Sequence, residues 1–390
     1  MSASGFDVTS SSPFFFEEEH HILRAQVRRF VETEIKPHAD AWEEAGSTPR
    51  EVMRKMGALG FFGIRYPEKY GGSQMDQRAT VVLAEELGRS TYAGVAITAL
   101  VHTDMASVHI FNAGNDAQKA KYIPRVISGE IITAVGVTEP DAGSDVKGIR
   151  TTARREGDHY VLNGAKTFIT NGVLGDVFCV AAKTDPTGAP SQSVTMFIVE
   201  KGTEGFTVSR SLKKHGWNSS DTAELSFVDV RVPVENVLGQ EGQGFYEIMK
   251  NFQNERLVLG AMSMGEAQAA IEMTVRYVKD RKAFGAPLWD KQVIRNRLAE
   301  LSCKVEAGRQ MIYATAARAA QDEQLVREVS MIKSYCGELV NEVMYACVQF
   351  HGGMGFMRES AIERMSRDAR VQAIGGGATE VMLEEVAKRM

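Results

Sequence analysis

The chain of 390 residues has little cysteine, proline or tryptophan: four, ten and three residues respectively. Cys179, Cys303, Cys336 and Cys347 make no CxxC pair and no metal-like spacing. That excludes a disulfide framework and fits ordinary buried thiols in a reducing compartment. The eight histidines are scattered and none belongs to an HExxH-type cluster, so no metal site is expected. Charge of one sign is not in excess either. With 45 basic against 50 acidic residues there is no nucleic-acid footprint, although one local basic pocket for a phosphorylated ligand stays open. No apolar run approaches the ~18 residues of a membrane span. The opening MSASGFDVTSSSPFFFEEEHH lacks the basic-then-apolar order of a signal peptide and is too acidic for a transit peptide, so the cytoplasm is the expected compartment.

What is present is an ordinary globular composition, 44% hydrophobic and 24% charged, with length for two or three domains. From Phe14 to about Gly129 the pattern is helical. Ser12 and Pro13 read as cap and first-turn proline, and Ile22, Val27, Phe30 and Ile35 fall on one face. The stretch AGVAITALVHTDMASVHIFNAG is apolar all round, which predicts a buried helix. Near Ile131 the texture turns to strands. HYVLNGAKTFITNG reads as two β-runs joined by a hairpin at Asn163-Gly164, and four further short strands follow it. Helical periodicity returns near Gly242. An α+β chain is therefore expected: an all-α domain over 1–130, a central antiparallel barrel or sandwich over 131–241, and a helical domain over 242–390.

GVTEPDAGSD, Gly136 to Asp145, places small residues and turn formers where the helices hand over to the sheet. Such a loop offers backbone N–H groups and the Ser144 hydroxyl to an anion or a flat polar ring; taken by itself it reads first as a structural inter-domain turn. TEPDAGSD and KTFITNG, followed in order by DRKAFG, QFHGGMGF and RDARVQAIGGGATE, resemble the signature segments of the acyl-CoA dehydrogenase family along nearly the whole chain. The resemblance implies a C-terminal four-helix bundle, FAD between sheet domain and bundle, and a dimer of dimers. It also implies α,β-dehydrogenation of an acyl-CoA to a trans-2-enoyl-CoA, with electrons passed to an electron-transfer flavoprotein. It assigns Val137, Thr138, Gly143, Ser144, Phe168, Ile169 and Thr170 to the flavin side. Arg281, Phe284 and Gln292 are assigned to a neighbouring subunit's FAD, Gln349, Gly352 and Gly353 to the adenosine end, and Ala378 and Glu380 to the closing motif.

That reaction needs a carboxylate near the substrate α-carbon and donors for the thioester oxygen. Many members of the family carry the carboxylate in the glycine loop, where this chain has Gly376. Long-chain and isovaleryl-type members take it instead from an "ER" pair on the helix entering the bundle, which Glu255 and Arg256 match in NFQNERLVLG. Glu255 also interrupts the stripe Phe245, Ile248, Phe252, Leu259, Met262, as a paired carboxylate or a general base would. The expected roles are Glu255 as base, Gly376 N–H toward the thioester oxygen, and Ser144, Tyr246, Arg256, Gly375 and Gly376 as substrate contacts. Gln253 stands where relatives commonly have aspartate, which puts a CoA contact there in doubt. Two alternatives are an acyl-CoA oxidase or flavin monooxygenase of the same fold using O2, and a non-catalytic acyl-CoA-binding protein.

Overall fold

The computed structural model describes residues 14–185, 187–321 and 323–390. The first helices are α1 (Glu18–Phe30, continued by a π-helical turn Val31–Ile35), α2 (Ala39–Ala45), α3 (Arg50–Ala58) and α4 (Gln77–Gly88). The expected cap at Ser12 and Pro13 lies outside the described residues. At the observed start of α1, the Glu17 N–H donates to His20 Nδ1 at 3.2 Å. Ile22 is 51% exposed, contrary to expectation. Helical rotation brings His20, Leu23, Val27 and Phe30 inward together, so Leu23 takes the inner place.

Next come α5 (Ala93–Leu100), a π-helical segment Val101–Ala106, α6 (Ser107–Ala113) and α7 (Asp116–Ile127). The run Ala93–Ala113 is long and apolar enough to span a membrane, which corrects the expectation that no run approaches that length. Its most apolar window is 94% buried inside the protein, so neighbouring helices and strands cover it. Asn115 and Gln118 close a reciprocal capping box at the start of α7.

The sheet contains β1 (Thr133–Gly136), β2 (Thr152–Glu156), β3 (His159–Thr170), β4 (Val177–Lys183), β5 (Val194–Glu200), β6 (Phe206–Ser211), β7 (Thr222–Pro233) and β8 (Val237–Leu238). Its order is β6-β7-β3-β2-β4-β5-β8, with β1 on β4. Pairing is antiparallel except that β1 and β2 each run parallel to β4. The single pairing Thr152↔Lys183 joins two halves, which fold over one core containing Tyr160, Phe178, Phe197, Phe206 and Phe227. This is the expected barrel or sandwich, with parallel seams added. Alternation does the sorting: in β4, Phe178, Val180 and Ala182 face that core, while Val177, Cys179 and Ala181 pack toward helices.

Asn163-Gly164 is not a hairpin. The β3 strand runs through it with a register shift against β7. A Cβ on Gly164 would meet Thr151 at 2.5 Å, and Asn163 exchanges hydrogen bonds with Asp229. The pair marks a bulge under close approach, and the hairpin lies at Gly157-Asp158 instead.

The C-terminal part holds α8 (Gly244–Asp280), a small hairpin of β9 (Lys282–Ala283) and β10 (Ala286–Pro287), α9 (Gln292–Ala319), α10 (Val326–His351), α11 (Ala361–Ala369) and α12 (Thr379–Ala387). Cys303 on α9 is exposed, while Cys179, Cys336 and Cys347 are buried as expected. A buried ion cluster stitches α1, α4 and α9 together. Glu85 accepts from Arg24 (2.9 Å), Arg309 (2.7 Å) and the Tyr313 hydroxyl. Burial pushes the Glu85 carboxyl up, but Arg24 and Arg309 outweigh it and bring the pKa down to about 2. Glu85→Ala, leaving buried cations short of a partner, should cost ~3–5 kcal/mol in urea unfolding; a cost under ~1 kcal/mol would show that the cluster does not hold the helices together.

Candidate active site

The site begins with a buried ion pair that joins two of the sequence motifs. Lys166 Nζ on β3 meets Glu139 Oε1 of the TEPDAGSD loop at 2.7 Å, with Lys166 fully buried. Lys166 also donates to the Val137 carbonyl at 3.1 Å, and the Thr167 N–H donates to the Thr138 carbonyl at 2.9 Å. Glu139 further accepts the N–H groups of Arg150 and Thr151. Burial lowers the Lys166 pKa to about 8; at Glu139 burial acts upward, but Lys166 and the N–H donors outweigh it and lower the pKa. Val137 and Thr138 are thereby fixed alongside Phe168 and Thr170.

Phe168 is 69% exposed at φ +59°, inside a register shift between Lys166 and Ile169 that turns its ring out of the sheet. Ile169 does not join it. Its side chain is 2% exposed in the sheet core, because successive strand residues point to opposite faces. Beyond the strand, Asn171 at φ +60° donates to the Thr98 and Thr133 carbonyls and anchors the turn to α5. The hydroxyls of Thr138, Ser144 and Thr170 have no hydrogen-bond partner among the described residues, and Gly143 and Ser144 are exposed. An exposed aromatic face beside three uncommitted hydroxyls fits a flat ring with a polar edge, so these residues fit a flavin.

Across from the sheet, α8 carries Glu255 and Arg256. Glu255 is 7% exposed, and its Oε1 accepts from Asn251 Nδ2 at 2.8 Å. Burial pushes the Glu255 carboxyl up to about 8, with Asn251 and Arg256 acting against it. Arg256 is also buried; its guanidinium lies over the Phe252 ring, and its Nε has no hydrogen-bond partner. Tyr246 lies near the start of α8 and is half exposed. Gln253 spends both ends of its amide on the α9–α10 connection, bonding Gln324 and Leu325.

The triple-glycine turn arrives on this face one helical turn beyond Glu255. A Cβ on Gly376, which sits at φ +68°, would stand 2.4 Å from Leu259 Cδ1. Lys333 of α10, almost fully buried, straddles the turn by donating to the carbonyls of Gln372 and Gly377. Burial lowers the Lys333 pKa to about 8, and Arg256 adds to the effect. Lys333 and Asn251 escaped the sequence reading. A lysine on the helical face shared by Val329, Cys336 and Val340 was a usable signal for the first, and an asparagine four residues before Glu255 for the second. Gly375 lies against Val371, while Ala378 and Glu380 sit at the start of α12, Glu380 exposed.

The remaining predicted residues do not converge here. Arg281, Phe284 (98% exposed) and Gln292 surround the β9–β10 hairpin at the far end of α8, about seven turns or roughly 37 Å from Glu255. Gln349, Gly352 and Gly353 lie exposed at the end of α10, near the point where Tyr277 stacks on His351 at 4.3 Å. Gly352 and Gly353 have open space where a Cβ would stand, as a surface receiving another group requires. One copy thus presents two sets of residues, one around Glu255 and one at the far end of the bundle.

The fold, the exposed Phe168 ring with the uncommitted hydroxyls, and the buried Glu255 carboxyl fit a flavin-dependent oxidoreductase. The chain belongs to the acyl-CoA dehydrogenase family: the N-terminal, middle and C-terminal domain descriptions of that family match residues 17–130, 134–230 and 242–390. The mitochondrial long-chain specific acyl-CoA dehydrogenase of Mus musculus is 40% identical over 96% of this chain and 87% of its own length. A solved acyl-CoA dehydrogenase from Geobacillus kaustophilus superposes with a TM-score of 0.93 at 41% identity, covering 96% of this chain and 99% of that one. An FAD complex of PigA superposes equally well at 26% identity, covering 96% and 98%. This chain is therefore an FAD enzyme that dehydrogenates an acyl-CoA.

Gly376→Ala puts a methyl group against Leu259 at a backbone angle that L-residues avoid. Expected are a loss of ~1–3 kcal/mol in stability and a slower flavin reduction, both partly restored by Leu259→Ala. Unchanged stability would show that the turn has room to spare.

Proposed function

We propose that Glu255 is the general base, that the substrate is the CoA thioester of a long or branched acyl group, and that an electron-transfer flavoprotein takes the electrons. The carrying observation is a buried carboxyl whose pKa is pushed up to about 8, on the helix face that the glycine turn covers, with no side chain at Gly376 to compete for the α-carbon. FAD, when bound, supplies the acceptor for the hydride that leaves the β-carbon; Val137, Thr138, Ser144, Phe168 and Thr170 would hold its ring. Glu255 takes the α-proton, and a base with a pKa near the working pH suits that task. The N–H of Gly376, on a turn that Lys333 tethers, polarises the thioester oxygen and stabilises the charge that grows there. Arg256 and Tyr246 steady the acyl-pantetheine arm. Leu259 and Met382 fill the space beside Gly376 and Gly377, so the acyl-chain reading rests on Glu255 lying on the bundle helix and on the long-chain specificity named for the mouse relative.

We further propose a dimer of dimers in which Arg281, Phe284, Gln292, Gln349, Gly352 and Gly353 meet a neighbouring copy's FAD. Exposed Phe284, Val293 and Phe356 at that end of the bundle support it. Four unpaired cysteines agree with a cytoplasmic setting. Glu380, exposed at the start of α12, and Ala378 complete the cofactor set around the closing motif.

Glu255→Gln should bind FAD normally yet reduce it about 10²–10⁴-fold more slowly with a good acyl-CoA in anaerobic mixing. Reduction at the wild-type rate sinks the assignment. Fast reoxidation of the reduced wild-type enzyme by air, with stoichiometric peroxide, would replace the flavoprotein partner by O2.

Stability gives a second check on Glu255. Its folded pKa lies above the ordinary carboxylate value, so the folded chain keeps this proton longer than the unfolded one. Its contribution is fully present below the ordinary carboxylate range and is lost as pH rises through about 8. Glu255→Gln should therefore gain on wild type in unfolding free energy, measured by urea titration, between pH 5 and pH 9, by an amount on the order of a few kcal/mol at the upper end. A difference independent of pH would contradict the burial argument.

A further inference from the structure

We propose that Asn251 is the positioning residue of the base: its amide holds Glu255 Oε1 and leaves Oε2 as the oxygen that receives the α-proton. This rests on the assignment of Glu255 as base.

The geometry is specific about orientation. Asn251 is 3% exposed and sits one helical turn before Glu255. Its Nδ2 makes two bonds, to the Met105 carbonyl at 3.1 Å and to Glu255 Oε1 at 2.8 Å. A primary amide nitrogen has two hydrogens, so both are spent. Turning the amide over would set its carbonyl oxygen against two acceptors, and that repulsion locks the donor toward Glu255. The Met105 carbonyl belongs to the π-helical segment Val101–Ala106, where the ladder of α-helical bonds is interrupted and carbonyls become available to side chains. Asn254, on the same stretch of α8, donates to the neighbouring Asp104 carbonyl at 2.8 Å, so two adjacent carbonyls of the segment grip α8 beside the base. Oε2 of Glu255 has no hydrogen-bond partner among the described residues.

A donor to one oxygen favours the carboxylate over the acid, and it restricts rotation about the last bond of the side chain. Asn251 thereby opposes the burial that drives Glu255 toward the neutral form, and keeps part of the enzyme competent at neutral pH. The other ionisable groups around this face are Arg256 on α8, Asp104 on the π-helical segment, Arg65 through Asn254, Lys333 on α10, Glu385 of α12, and Arg389 just beyond α12, the last two opposite Arg256. None of them hydrogen-bonds the Glu255 carboxyl among the described residues, and all are retained in the variants below.

The test is the pH dependence of kcat/KM, which reports groups of the free enzyme, for the FAD-loaded wild type, N251A, N251D and E255Q. It is paired with infrared titration of the Glu255 carboxylic acid band, identified by its loss in E255Q. N251A should move both the activity inflection and the band upward by about one unit, so that its loss of activity is larger at pH 7 than at pH 9.5. N251D, close in shape but unable to donate when ionised, should shift the same way and covers the case in which N251A folds poorly. An inflection and band that stay in place, with activity lost equally at every pH or not at all, would overturn the positioning role. Full activity in E255Q would instead overturn the base assignment itself, whatever Asn251 does.

Discussion

A carboxyl group inside a protein survives only if nearby dipoles replace part of its lost hydration, and around Glu255 that replacement is deliberately incomplete. One amide hydrogen reaches Oε1, and Arg256 contributes through space while lying over Phe252 instead of closing an ion pair. The contrast with Glu85 is instructive. Both are buried glutamates, yet Glu85 has two guanidinium partners and a phenol and stays ionised far below neutrality, while Glu255 is left near the point of balance. One environment serves cohesion, and the other gives the proposed base a pKa near the working range.

Keeping Glu255 so poised requires three packed layers around α8. The π-helical segment between α5 and α6 supplies backbone carbonyls to Asn251 and Asn254. The glycine turn comes in over Leu259 and is held by Lys333 from α10. The sheet is tied to the helical parts through Asn171, and through the Trp217 N–H bonded to Asp368 of α11. The pair Lys166–Glu139 then sets the height of the flavin-facing loop relative to the strand that carries Phe168. Each tie is a buried polar contact that is costly to leave unmade, which gives the site its fixed geometry.

Much of this was readable from local pattern. Helical periodicity, strand alternation and the run of motifs mark the order of helices, strands and helices, and Glu255 stands out as a charge in an apolar stripe that lacks a rival at Gly376. The readings that failed did so where a distant contact overrode a local preference. Asn163-Gly164 has the composition of a turn, but Thr151 pressing on the glycine and Asp229 bonding the asparagine keep β3 running through it as a bulge. Ile169 shares a motif with Phe168 and Thr170, but strand alternation sends it into the core. The apolar run Ala93–Ala113 has membrane length, and only its packing inside the protein gives it another use.

By itself the sequence determined the kind of protein and the chemistry it carries, because periodicity, turn residues and the motif series are local properties of the chain. Tertiary structure decided which polar groups meet: Lys166 with Glu139, Lys333 with the glycine turn, Asn251 with both Met105 and Glu255. Most of those partners are separated by long stretches of chain, and the exception, Asn251 to Glu255, depends on a carbonyl that an irregular helix makes available. The raised pKa of Glu255 follows from desolvation, a property of the packed interior that no stretch of sequence possesses alone.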